Sequence, residues 1–246
     1  MKSMMIISIG MPRAGSGWHY NLIHDLVLAG GGKDARQIRK QYHLQRLLTE
    51  VNCNISTLNP VRLLPVWMPT LLGNTYAVKT HAGPTGTALE LIRHGRIIPT
   101  YIYRDPRAAL LSAYEYGQRG LDGGRPNAFS HLTSLDKAVD YMRLYVSIWE
   151  EWMDTKGVLI VRYEDLVGNY DLETDRLVGF LGAAGGNRGI HPILEKYRPE
   201  RGTANQKGTH FSQGQAERFR SVFTAEQLST YTQVFSTALE RMGYSP

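Results

Sequence analysis

Four short clusters of residues have the types and spacing to act on an anion. The first reads Gly10-Met11-Pro12-Arg13-Ala14-Gly15-Ser16-Gly17-Trp18. A glycine-bearing turn between an apolar run and a helical pattern aims backbone N–H groups and a positive helix end at one point, where phosphate binds. An ordinary glycine turn has the same composition. Gly10 and Gly15 have the spacing of a Walker A loop, but Ser16 and Gly17 stand where that motif needs Lys and Ser/Thr. ATP hydrolysis by the usual Mg²⁺-dependent route is therefore not expected. The second cluster is Val78-Lys79-Thr80-His81. Residues two apart on an extended segment face the same side, so Lys79 and His81 pair a charge stabiliser with a general base. A structural histidine is the plainer alternative. The third, Tyr103-Arg104-Asp105-Pro106-Arg107, is followed by Ser112, eight residues after Arg104. The guanidinium fork suits phosphate oxygens, although a surface Arg–Asp pair at a helix start fits as well. The fourth is Tyr163-Glu164-Asp165-Leu166. Acids after an apolar run either bind Mg²⁺ or sit at the positive end of a helix, and the helix start is the favoured reading.

The elements that must position these clusters follow from periodicity. Apolar runs at Met4 to Ile9, Thr75 to Lys79, Ile97 to Tyr103 and Gly157 to Arg162 read as buried strands. Helical spacing covers Ser16 to Leu28, stopped by Gly30, Gly31 and Gly32, and also about Thr85 to His94. A further helix starts at Pro106, where the missing N–H costs nothing, and runs to about Tyr116. Leu135 to Met153 is the longest helical pattern, and helices around Asp171 to Leu181 and Ala225 to Met242 complete the chain. Arg119 to Ser134, rich in Gly, Asp, Asn and Pro, is expected to be a mobile loop and a candidate lid. Strands alternating with helices predict an α/β fold: a central parallel β-sheet flanked by helices, in one domain spanning 1–246. All four clusters then lie at a strand's carboxyl end, where open parallel sheets bind ligands.

Composition narrows the partners. The chain has 28 Lys and Arg against 22 Asp and Glu, a formal charge of +6. That excess favours anionic partners, but no run of five basic residues occurs. Scattered arginines gathered around one small polyanion fit this better than a nucleic-acid stripe. Cys53 is the single cysteine, so neither an internal disulfide nor a cysteine metal cluster can form. Met1 to Ile9 is too short for a signal-peptide core, and Leu63 to Leu72 is interrupted by Pro65 and Pro69. The expectation is a cytoplasmic protein with neither nucleic-acid nor membrane partners.

Together, the four clusters resemble the PAPS-dependent sulfotransferase family (PAPS is 3′-phosphoadenosine 5′-phosphosulfate). Its cytosolic members carry Tyr-Pro-Lys-Ser-Gly-Thr-Thr-Trp after the first strand, where this chain has Met11-Pro12-Arg13-Ala14-Gly15-Ser16-Gly17-Trp18. The fold implied is P-loop NTPase-like, and the reaction is sulfuryl transfer from PAPS to an acceptor hydroxyl, leaving PAP, with no metal expected. Arg13, Ala14, Gly15, Ser16 and Gly17 would then hold the 5′-phosphosulfate, and Trp18 would lie against the adenine. Lys-Thr-His is a family signature in which His81 is the general base and Lys79 helps hold the transferring group; Arg13 joins them as a stabilising cation. Arg104 and Ser112 have the spacing of the family's 3′-phosphate pair, and Tyr163 lies near the adenine. Arg13 replaces the usual lysine, as in sulfotransferases acting on glycans, and Gly17 lacks a phosphate-binding hydroxyl. The family's late Arg-Lys-Gly segment is only faintly matched, by Arg201 and Gly202 and then Thr209-His210-Phe211. The acceptor is a small molecule or a glycan; Trp67, Met68, Tyr114, Tyr116 and Phe129 are candidates to line its pocket. The alternatives are a P-loop nucleotide kinase or NTPase, and a catalytically silent nucleotide-binding protein.

Overall fold

Isoleucine-rich runs without alternation need apolar cover on both faces, and that is how the strands are placed. The computed structural model describes residues 3–182, 189–201 and 217–245. Its sheet comprises β1 (Met5–Gly10), β2 (Asn54–Ile55), β3 (Tyr76–Thr80), β4 (Ile97–Tyr103) and β5 (Leu159–Arg162). The order is β2-β3-β1-β4-β5, and every pairing is parallel. Every residue of β1 and β3 is buried. After β3 the chain crosses to the other side of β1, so a crevice opens beyond the carboxyl ends of β3, β1 and β4.

The helices that flank the sheet begin where local chemistry permits. α1 (Ser16–Ala29) starts after Gly15, whose φ of 77° is left-handed. α2 (Ala35–Gln41) and α3 (Pro60–Trp67) are capped by Asp34 and Asn59, and α4 (Gly86–Arg93) by Thr85. The Asp105 carboxylate accepts from Arg107 N–H to open α5 (Pro106–Asp122), with Pro106 at its first turn. Ser134 opens α6 (Leu135–Met153). The chain continues through α7 (Tyr163–Gly168), α8 (Tyr170–Leu181), α9 (Ile190–Lys196), α10 (Phe219–Val222), α11 (Ala225–Val234) and α12 (Ser236–Met242). No helix among the described residues is long and apolar enough to cross a membrane.

Two expectations are corrected. α5 does not stop near Tyr116 but continues to Asp122, and the segment after it is fastened to the helix rather than open. Asn127 Nδ2 donates to Tyr116 O at 2.7 Å and Ser130 Oγ to Gly117 O at 3.2 Å. Gly117 allows this approach, since a Cβ there would lie 2.2 Å from Phe129 O. Short polar side chains bonded to helix carbonyls thus hold a stretch whose composition reads as a loose lid. The expected last helix, Ala225 to Met242, also breaks in two: Phe235 leaves helical geometry at φ −103° and ψ 10° while staying buried. The short pieces β2, α2, α3 and α9 have too few residues to show a period in sequence.

Candidate functional site

The loop from Met11 to Gly15 is built around two left-handed residues, Arg13 (φ 64°) and Gly15 (φ 77°). Met11 N–H is spent on Ile102 O and Ala14 N–H on Met11 O. Among the described residues, no backbone carbonyl accepts from the N–H groups of Gly15, Ser16 or Gly17. These donors open α1, where the helix end is positive. Space at Gly15 is closed by Tyr163: a Cβ would meet its Cδ2 at 2.8 Å. The loop and the start of α7, distant in sequence, therefore form one cradle.

A non-glycine residue at positive φ needs holding, and Arg13 is held on several sides. Its Nε donates to Ser112 Oγ at 3.1 Å, and its guanidinium lies 4.5 Å over the Tyr116 ring and 5.7 Å from that of Phe129. Burial pushes its pKa down to about 10, which leaves it charged at neutral pH. Lys79, on β3, is also buried; burial, and then the charge of Arg13, push its pKa down to about 8. His81 follows directly after β3 and is tied by Nδ1 to Gly10 O at 2.5 Å. A carbonyl only accepts, so Nδ1 carries the proton and Nε2 keeps its lone pair. Burial, with Lys79 nearby, pushes His81 down to about 3, so the imidazole is neutral at physiological pH.

Arg104, just beyond β4, lies 4.5 Å over the Tyr163 ring and 3.9 Å from Glu164. Glu164 in turn accepts from Tyr244 Oη at 2.6 Å, and burial pushes its pKa up. Trp18 is packed rather than open: it stacks on Tyr170 at 6.2 Å, meets Tyr163 edge-on, and donates Nε1–H to Tyr197 O at 3.0 Å. Ala14 and Ser16 are buried at the loop's end, and Gly17 is partly buried.

Arg13, Lys79 and His81 thus meet at the ends of β1 and β3, and Arg104 with Tyr163 at the ends of β4 and β5. Ser112 lies at the Arg13 side, bonded to that residue. Gly202 and Thr209-His210-Phe211 lie outside the described residues, as does the side chain of Arg201. Sequence reasoning named Tyr116 and Phe129 but missed Tyr141 and Tyr145, which extend them into an aromatic row. Phe129 meets Tyr116 at 5.7 Å and Tyr141 at 5.8 Å; Tyr141 meets Tyr145 at 4.9 Å, and Tyr145 faces His81 at 6.3 Å. The signal available was the i,i+4 spacing of Tyr141 and Tyr145 on α6. Among the described residues no ring contact joins Trp67 to this row, and Met68 is largely exposed.

Residues 4–243 match the family model of the sulfotransferase domain. The chain belongs to the sulfotransferase family. Solved structures agree on the fold. A retinol dehydratase in complex with androsterone and the inactive cofactor PAP is 18% identical, with a TM-score of 0.60 over 96% of this chain and 80% of that one. Mouse sulfotransferase SULT7A1 complexed with PAP is 14% identical, with a TM-score of 0.59 over 98% and 85% of the two chains. Retinol dehydratase with retinol and PAP is 17% identical, with a TM-score of 0.59 over 97% and 82%. No curated protein sequence matches the chain. In this sulfotransferase the four motifs read from sequence all end on one rim of the sheet.

Proposed function

We propose that this sulfotransferase uses PAPS as donor and a small-molecule hydroxyl as acceptor, with His81 as general base. The observation that carries the reading is the fixed tautomer of His81: Gly10 O takes the Nδ1 proton and leaves Nε2 to accept another. A neutral, oriented imidazole at a strand's carboxyl end, beside two buried cations, suits proton removal from an attacking hydroxyl.

The residues present fit the donor. Its phosphates carry several negative charges, which call for arginine, lysine and a helix start. The Gly15 cradle has N–H groups that no backbone carbonyl among the described residues uses, and it has no room for a Cβ. Arg104, stacked on Tyr163, would hold the 3′-phosphate together with Ser112, which is bonded to Arg13, and Arg201 and Gly202 are further candidates. PAPS supplies an activated sulfuryl group whose leaving group is a nucleotide phosphate. His81 Nε2 takes the acceptor proton as the acceptor oxygen bonds to sulfur; the bond from sulfur to the bridging oxygen breaks, and PAP leaves. Lys79 and Arg13 would be the cations that stabilise the charge growing on that oxygen. The aromatic row from Tyr116 to Tyr145 reaches His81, and it supports an acceptor with an apolar or aromatic body.

Titration calorimetry with PAP in metal-free buffer, followed by mass spectrometry of PAPS turnover on a panel of phenols, alcohols and sugars, tests the assignment. Metal-free PAP binding and a sulfated product are expected. Preference for Mg·ATP would overturn the assignment in favour of a kinase, and PAP binding without any product would favour a silent nucleotide-binding protein.

A further inference from the structure

Elsewhere among the described residues, large apolar side chains left on the surface occur singly along the chain, but five fall close together on one stretch. Val61, Leu64, Met68, Leu71 and Leu72 are between 38% (Leu64) and 79% (Val61) exposed. They belong to α3 and to the 3₁₀ helix Met68–Leu72 that follows it. Spacings of three and four set Val61, Leu64, Met68 and Leu71 along one side. The other side, Leu63, Val66, Pro69 and Thr70, is buried against the core. The core is thus supplied by the inner row alone, and packing gives no reason for a second, outer apolar row. A grouped exposed patch of this kind marks a contact with another protein or with a membrane.

The charge around the row decides between them. Residues 33–74 carry six Lys and Arg against two Asp and Glu, a net four of the chain's formal +6. Several of these cations are tied to the row. Arg62 stands on α3 itself. Lys33 N–H donates to Thr75 O at 2.7 Å, just beyond Leu72. The basic last turn of α2, Arg39 and Lys40, leads into Tyr42, whose Oη accepts from Asn74 Nδ2 at 2.9 Å. The same Nδ2 donates to Pro69 O at 2.8 Å. Lys33, Lys40 and Arg46 are exposed. Of the acids, Asp34 caps α2 and lies 3.6 Å from Arg36, and Glu50 is exposed. On the neighbouring α4, Glu90 is paired with Arg93 at 2.6 Å. A second copy is a poor occupant, because a two-fold contact would set this basic patch against itself. An anionic bilayer satisfies both halves: apolar side chains enter the headgroup boundary while Lys and Arg meet acidic headgroups. Pro65 and Pro69, which interrupt the stretch as a membrane span, do not prevent it from lying flat on one.

We propose that the outer row from Val61 to Leu72, with the cations beside it, is a peripheral docking surface for anionic phospholipid membranes. Leu71 and Leu72 precede the amino end of β3, whereas Lys79 and His81 lie at its carboxyl end, so docking there leaves the reactive rim open. The inference is independent of the sulfuryl-transfer reading.

Flotation of the full chain with vesicles tests it. The protein should float with vesicles of phosphatidylcholine and phosphatidylserine in equal parts, and not with phosphatidylcholine alone. Added salt should weaken the association. Leu71→Glu with Leu72→Glu should cut binding to the mixed vesicles by about tenfold or more, with the melting temperature unchanged because both side chains are exposed. Lys33→Glu with Lys40→Glu should weaken it comparably, since each cation near the surface contributes; this pair carries the test should the leucine variant not fold. No flotation with the mixed vesicles, or flotation that survives both pairs of substitutions, overturns the proposal. So does a wild-type dimer in sedimentation velocity that the leucine variant makes monomeric while neither form binds vesicles, since the row would then join two copies. Vesicle binding by a chain that transfers no sulfuryl group would refute the proposed function and leave the docking surface standing.

Discussion

Replacing His81 with Asn separates the two nitrogens of the ring. The Asn side-chain N–H can still donate to Gly10 O, the bond that His81 Nδ1 makes at 2.5 Å. Nothing in Asn replaces Nε2. The loop and the cradle should therefore remain, and only the proton acceptor should go. General bases contribute about 10²–10⁴-fold, equivalent to about 2.7–5.4 kcal/mol of transition-state stabilisation. The expected result is a kcat loss in that range with PAP affinity unchanged, measured by PAP release and calorimetry on the same preparation. The pH profile adds a second check. Burial holds His81 near 3, so the wild-type ring stays neutral and its protonation should cause no fall in kcat between pH 5 and 7. Lys79, pushed down to about 8 by burial, loses its charge above that pH, and the alkaline limb of kcat should fall there. Linkage has a definite sign too. The native ring is held below its ordinary value of 6.5, so its contribution to stability is fully present above 6.5 and lost as pH falls toward 3. His81→Asn should lack that acid-dependent loss. Wild-type turnover in the variant, or a wild-type acid limb near 6.5, would refute the reasoning.

Arg104→Ala should erase most of the preference for PAP over AMP, a change of about 10- to 150-fold, because a charge-assisted hydrogen bond contributes about 1.5–3 kcal/mol. Arg104→Lys should recover only part, since the ammonium lacks the planar fork; calorimetry with both nucleotides decides, and an unchanged ratio removes Arg104 from the site. Gly117→Ala places a Cβ 2.2 Å from Phe129 O, so it should lower stability by about 1–3 kcal/mol, read from the urea midpoint. An unchanged midpoint there would mean that the segment after α5 moves aside freely.

What the sequence determined by itself is local. The buried runs that became β1, β3, β4 and β5 needed no partner to be recognised, because an unalternating apolar strand can only be covered on both faces. The turn at Gly15, the helix starts at Ser16 and Pro106, and the acids opening α7 were legible for the same reason: each depends on backbone chemistry within a few residues. The lysine and histidine at the end of β3, and the arginine at the end of β4, were likewise placed by strand direction alone. Long-range contacts were not legible. The bond from Arg13 to Ser112 spans 99 positions, and that from His81 to Gly10 spans 71. The second decides which nitrogen of His81 is basic, and it exists because β1 lies between β3 and β4. The same is true of Tyr244 on Glu164 and of the aromatic row. Strand order and helix docking bring these groups together through the packing of the whole core, and no spacing within a short stretch of chain encodes that.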